Sequence, residues 1–202
     1  MFFKRDEYIK ENQEYINNLN DGLIYLEEIS KKLIAYEIDV KHKPWYKNII
    51  EIYVPKAQKY GERCNDPNFD ISKANDIWIR SEYKSFLSEV EKFIKFFIYE
   101  TLGPDNDNFS KAINEFDDVV SKYKERFDEG WESVLLEIKD NLHRWRRNYN
   151  ENKHDKDKMD DSSYTKNKTC TILGDDILEY VSDFIYRILC PLLATLLIIK
   201  TK

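Results

Sequence analysis

Large apolar residues recur at three- and four-residue steps through most of this chain, and that spacing fits a helix with one buried face. From Tyr8 to Val40, the positions Tyr15, Leu19, Leu23, Leu26, Leu33, Tyr36 and Val40 keep the period, with Ile29 near the gap and Asp21-Gly22 as a candidate interruption. The strongest stripe predicts a central core helix from Asn75 to Leu102. Ile79, Tyr83, Phe86, Leu87, Val90, Phe93, Ile94, Phe97 and Ile98 fill it, and Gly103-Pro104 supplies the stop. A further helix over Ser110 to Phe127 carries Ile113, Phe116, Val120, Tyr123 and Phe127, and Asp128-Glu129-Gly130 breaks it. Trp131, Leu135, Ile138, Leu142, Trp145 and Tyr149 then define the next helix, with Asp140, Arg144 and Arg147 on its exposed side. From Asp175 the pattern returns in Ile177, Leu178, Val181, Phe184, Ile185 and Leu189.

Only 5 Gly and 5 Pro punctuate the 202 residues, too few for the frequent turns of an all-β protein. The irregular stretch is His42 to Asp70, where Pro44, Pro55 and Pro67 limit helix to short pieces and Ile49 to Val54 reads as a helical turn or two or a stray strand. The expected fold is all-α: one domain over residues 1–202, an antiparallel bundle of about five to six helices. Residues 1–70 supply N-terminal helices and the irregular segment. Residues 75–202 form the bundle core, with a mobile polar loop over 150–168.

The three cysteines, Cys64, Cys170 and Cys190, are widely spaced and form no C-x-x-C pair, so neither a zinc site nor a disulfide framework is expected. No metal and no cofactor are expected, since phosphate-loop, zinc-protease, nucleophile-elbow and EF-hand motifs are all missing from the sequence. The N-terminus turns acidic and polar before an apolar run develops, which argues against a secretory signal and for a cytoplasmic protein. A formal net charge of -6 means that nucleic acid binding would need a local basic patch. The apolar run between Arg187 and Lys200 is shorter than the roughly 20 residues of a spanning helix and holds Pro191, so a buried final helix is expected rather than a membrane span.

Base, cation and aromatic groups converge in one segment, Leu142 to His154. Here Arg147-Asn148 is followed after five more residues by His154, with Arg144, Arg146 and Lys153 nearby. This resembles the R-x4-6-H signature of HEPN domains, all-helical nucleotide-binding and RNase domains of toxins, abortive-infection proteins and CRISPR effectors. The motif closes a long amphipathic helix and precedes the last helix of an all-α chain, as the resemblance requires. It implies a bundle of four or five helices, a homodimer and metal-independent cleavage of RNA, with a toxin or phage-defence setting and an antitoxin or regulatory partner. The six-residue spacer is at the long end of the family range, and Asn150-Glu151-Asn152 is more polar than the spacers often seen there.

Residue chemistry fits that assignment. His154, with an ordinary pKa near 6.5, can accept the 2′-hydroxyl proton or protonate the leaving 5′-oxygen. Arg147 can set a permanent planar cation against the developing phosphorane. Asn148 would orient either group, Glu151 is a supporting acid, and Arg144, Arg146 and Lys153 would hold the RNA backbone. One histidine per chain does not easily serve as both base and acid, which gives a reason for two protomers to share a cleft.

Plainer roles compete. His154 reads equally as a solvated histidine among Lys153, Asp155, Lys156 and Asp157. Arg144 and Arg147 would favour a helix C-terminus through its dipole or pair with Asp140, and Trp145 would pack in the core. The alternative function is a non-catalytic helical module, with a degenerate HEPN-like fold, that binds a partner or a nucleotide. A third reading attaches the protein to a membrane through Leu192 to Ile199.

Overall fold

The computed structural model describes residues 5–66, 68, 80–103, 111, 114–154 and 177–201, with the side chains of 5–8, 80–81 and 146–154 outside that set. Among these residues there is no strand, and helix dominates. The helices are α1 (Arg5–Ile34), α2 (Pro44–Asn48), α3 (Val54–Cys64), α4 (Arg80–Leu102), α5 (Phe116–Lys122), α6 (Glu129–His154), α7 (Ile177–Phe184) and α8 (Cys190–Thr201). One π-helical turn, Ile49–Tyr53, joins α2 to α3, and another, Ile185–Leu189, joins α7 to α8. With each joined pair taken as one continuous helix, the bundle has six, within the five to six expected.

Both π-turns have the same cause. Val54-Pro55 follows the first and Cys190-Pro191 the second. A proline has no N–H for the carbonyl four residues back, and its ring crowds that carbonyl. The chain widens by one residue instead: the Val54 N–H bonds to Ile49 O and the Cys190 N–H to Ile185 O, both five residues back. Ile49 to Val54 is therefore helical, not a strand. Pro191 likewise leaves the last helix continuous, so Ile177 to Thr201 forms a run of 25 residues, long and apolar enough by length and composition to cross a membrane. Most of it is buried inside the bundle, including Leu192, Leu193, Leu196 and Ile199.

α1 runs through Asp21-Gly22 without a break. Gly22 lies where α1 meets the second π-turn, and a Cβ there would stand 2.9 Å from Ile185 Cγ2. α1 ends in a Schellman motif: the Ile38 N–H bonds to Leu33 O at 3.1 Å and the Glu37 N–H to Ile34 O at 3.0 Å, with Glu37 at φ 62°. Leu33 and Ile38, the two apolar positions this motif brings together, are both buried.

α4 is the central helix, and Phe86, Val90, Phe93, Phe97 and Ile98 are fully buried along it. The expected residues 75–79 lie outside the described residues, as does Ile113 of the helix expected at Ser110. That helix is also shorter than its periodicity suggests, ending at Lys122 before a 3-10 turn at Lys124–Arg126. Tyr123 leaves helical geometry, and its hydroxyl donates to Thr101 O at 2.8 Å, beside Lys122 Nζ at 2.9 Å. These two bonds satisfy a carbonyl in the last turn of α4.

Candidate functional site

α6 carries the whole set of residues singled out by the sequence. Asp128 fixes its start, its Oδ1 accepting the Trp131 N–H at 2.8 Å as a helix N-cap does. Leu135, Ile138, Leu142 and Trp145 then bury one face. Trp145 is 2% exposed, and its ring centroid lies 5.9 Å from Phe86, 5.5 Å from Tyr180 and 5.8 Å from Phe184. It is a core residue rather than a platform for a base.

The backbone of α6 stays helical through His154, so residues 150–154 belong to the helix and not to the polar loop expected from Asn150. A helix turns about 100° and rises about 1.5 Å per residue. Arg147 and His154, seven positions apart, therefore stand about 20° apart around the axis and about 10.5 Å apart along it. Both fall opposite the buried Trp145 position, on the side that also holds exposed Asp140 and position 151. Arg146, Arg147, Asn148, Glu151, Lys153 and His154 are placed by this register alone, because their side chains lie outside the described residues.

Arg144 does have a described side chain. Its Nη2 lies 3.2 Å from Asp183 Oδ2, while Asp183 Oδ1 lies 3.3 Å from Arg187 Nε. Asp183, only 12% exposed, thus ties α6 to the end of α7 and to the following π-turn. The partner of Arg144 is Asp183 rather than Asp140.

His42 has its Nδ1 2.6 Å from Asp39 Oδ2, and this hydrogen bond holds the Asp39 carboxyl below its ordinary range. Among the described residues, no group of three or more His, Cys, Asp or Glu side chains could hold a metal ion. Cys64 and Cys190 are both buried, and neither forms a disulfide. The Cys190 thiol donates to Gly22 O at 3.2 Å, and burial pushes its pKa up to about 12, which makes it a packing group rather than a nucleophile.

A second feature was not read from the sequence. A cavity of about 420 Å³ opens between Asp21, Gly22 and Tyr25 on α1 and Trp131, Glu137 and Ile138 on α6, with the second π-turn and the start of α8 completing its wall. The available signal was the position of two aromatics. Tyr25 and Tyr186 stand off the buried stripes and remain 50% and 46% exposed.

Comparison with protein-family models, curated proteins and solved structures finds no match to this chain.

Proposed function

We propose that this protein is a HEPN-like, metal-independent ribonuclease, with Arg147 and His154 as the catalytic pair and Asn148 orienting them. The observation that supports this reading is the continuity of α6 through His154. On an unbroken helix the two positions share one face two turns apart, opposite the buried side, with no loop needed to bring them together. In this mechanism His154 exchanges protons with the 2′-hydroxyl and the leaving oxygen. Arg147 neutralises charge on the phosphorane. Arg146 and Lys153 hold flanking phosphates, Arg144 adds charge beside them, and Glu151 supports the site as an acid. A cytoplasmic homodimer supplies two such faces to one RNA, in a toxin or phage-defence role under an antitoxin-like regulator, with the last helix kept inside the bundle.

The Arg144–Asp183–Arg187 chain favours a second reading, in which the basic end of α6 braces the bundle and the protein is a non-catalytic interaction or nucleotide-binding module. The test compares wild type, Arg147→Ala and His154→Ala on a panel of single-stranded RNAs in the presence of a chelator, with circular dichroism as the folding control. The ribonuclease reading expects cleavage by wild type and its loss in both variants. It further expects partial recovery when the two inactive variants are mixed, if each site draws its Arg and His from different protomers. Wild type inert on every RNA, or His154→Ala as active as the parent, gives the second reading its place.

A further inference from the structure

The cavity between α1 and α6 is shaped by the close approach of α1 to the second π-turn. Gly22 lets α1 close onto the π-turn, and the extra residue of that turn sets the register of Tyr186 and Arg187 beside the opening. Trp131 is held at the edge of the cavity by a hydrogen bond from its Nε1 to Thr195 Oγ1 at 3.3 Å. Tyr25, Trp131 and Tyr186 thus give the cavity three aromatic side chains. Its volume falls in the range of pockets that enclose small organic ligands.

The charges in the wall are asymmetric. Asp21 and Glu137 stand on opposite sides, and neither has an ion-pair partner among the described residues. The lining cation, Arg187, already pairs with Asp183 at 3.3 Å. An anionic ligand would meet two uncompensated carboxylates there, whereas a cation would meet those carboxylates and three aromatic rings, whose negative faces attract positive charge. A neutral ligand would gain only the apolar contact.

We propose that this cavity binds a free small organic cation, a substituted ammonium with an apolar body, held by Tyr25, Trp131 and Tyr186 and selected by Asp21 and Glu137. The site is separate from the Arg147/His154 face, and its occupancy does not depend on RNA cleavage.

The test is calorimetric titration of the full chain with benzyltrimethylammonium, benzyl alcohol and benzoate. The cation should bind about tenfold or more tightly than the alcohol, and benzoate should not bind. Asp21→Asn with Glu137→Gln should bring the affinity for the cation close to that for the alcohol. Tyr25→Leu, which keeps apolar bulk and removes a ring, should weaken the cation alone. Thermal melts of each variant check the fold, since all three positions are partly or fully exposed. Equal binding of cation and alcohol, binding of benzoate, or no binding by folded wild type overturns the proposal. A trimethyllysine peptide binding more tightly than the free cation overturns the assignment to a small molecule.

Discussion

Gly22→Ala sets two known energies against each other. In an isolated helix the change is favourable by about 1 kcal/mol, because alanine loses less conformational freedom. In this bundle the added Cβ would lie 2.9 Å from Ile185 Cγ2 and 3.7 Å from the Tyr186 Cα. Carbon contacts prefer about 3.5–4.0 Å, so the methyl would have to retreat by more than about half an ångström. Ile185 is completely buried, and its Cγ2 branches from Cβ inside a π-turn, so it has little freedom to move aside. Overpacking of this kind costs about 1–3 kcal/mol. The net expectation is a loss of about 1 kcal/mol, or a fall in Tm of about 2–4 °C for a chain of this size. Ile185→Leu moves the branch one carbon outward and deletes Cγ2 at nearly constant volume. Alone it should cost less than about 1.5 kcal/mol, and combined with Gly22→Ala it should show a favourable coupling of about 1 kcal/mol. Urea and thermal unfolding of the four proteins by circular dichroism measure both numbers. A Gly22→Ala protein more stable than wild type by the full helix gain, or a coupling near zero, would refute the packing argument.

Three further perturbations test other parts of the fold. Glu37→Gly should stabilise by about 1 kcal/mol in urea unfolding, because Glu37 holds φ 62° in the Schellman motif, where glycine carries no Cβ penalty. Asp183→Asn should lose about 1 kcal/mol at low salt and less at high salt, since both arginines it holds, Arg144 and Arg187, are exposed to solvent. Burial raises the pKa of the Tyr15 hydroxyl, with the nearby Glu179 charge adding to it, and burial also raises Tyr46 and Tyr53. Above pH ~10 these phenols ionise in the unfolded chain while the folded protein keeps its protons, so stability should fall as pH rises. Urea midpoints measured from pH ~9 to ~11 should decline, and Tyr15→Phe should decline less.

Periodicity carried most of the fold because it reports which face is buried: Tyr83 to Ile98 on α4, Leu19, Leu26 and Leu33 on α1, and Leu135, Ile138, Leu142 and Trp145 on α6 are buried as expected, whereas Tyr36 lies past the end of α1 and is exposed. It failed where a backbone effect overrode the pattern. Pro55 looked like a break and Pro191 like a kink, yet each is absorbed by a five-residue π-turn, which no apolar spacing reveals. Gly22 looked like an interruption and is a close approach between helices. The end of α6 was misplaced because residues 150–154 are polar, and a helix that leaves the core needs no apolar stripe to continue. The candidate ribonuclease residues were legible as a motif. The Asp183 clamp and the cavity were not, because both join residues more than thirty positions apart in sequence.

The chemistry of the RNA ends tests the central claim most directly. A uniformly labelled single-stranded RNA, incubated with purified protein and excess chelator, is analysed by mass spectrometry of the fragments. Attack by the substrate's own 2′-hydroxyl, assisted by His154 and stabilised by Arg147, gives 2′,3′-cyclic phosphate ends with wild type and no fragments with His154→Ala. Fragments ending in 3′-hydroxyl and 5′-phosphate, or cyclic ends that persist in His154→Ala, would contradict it.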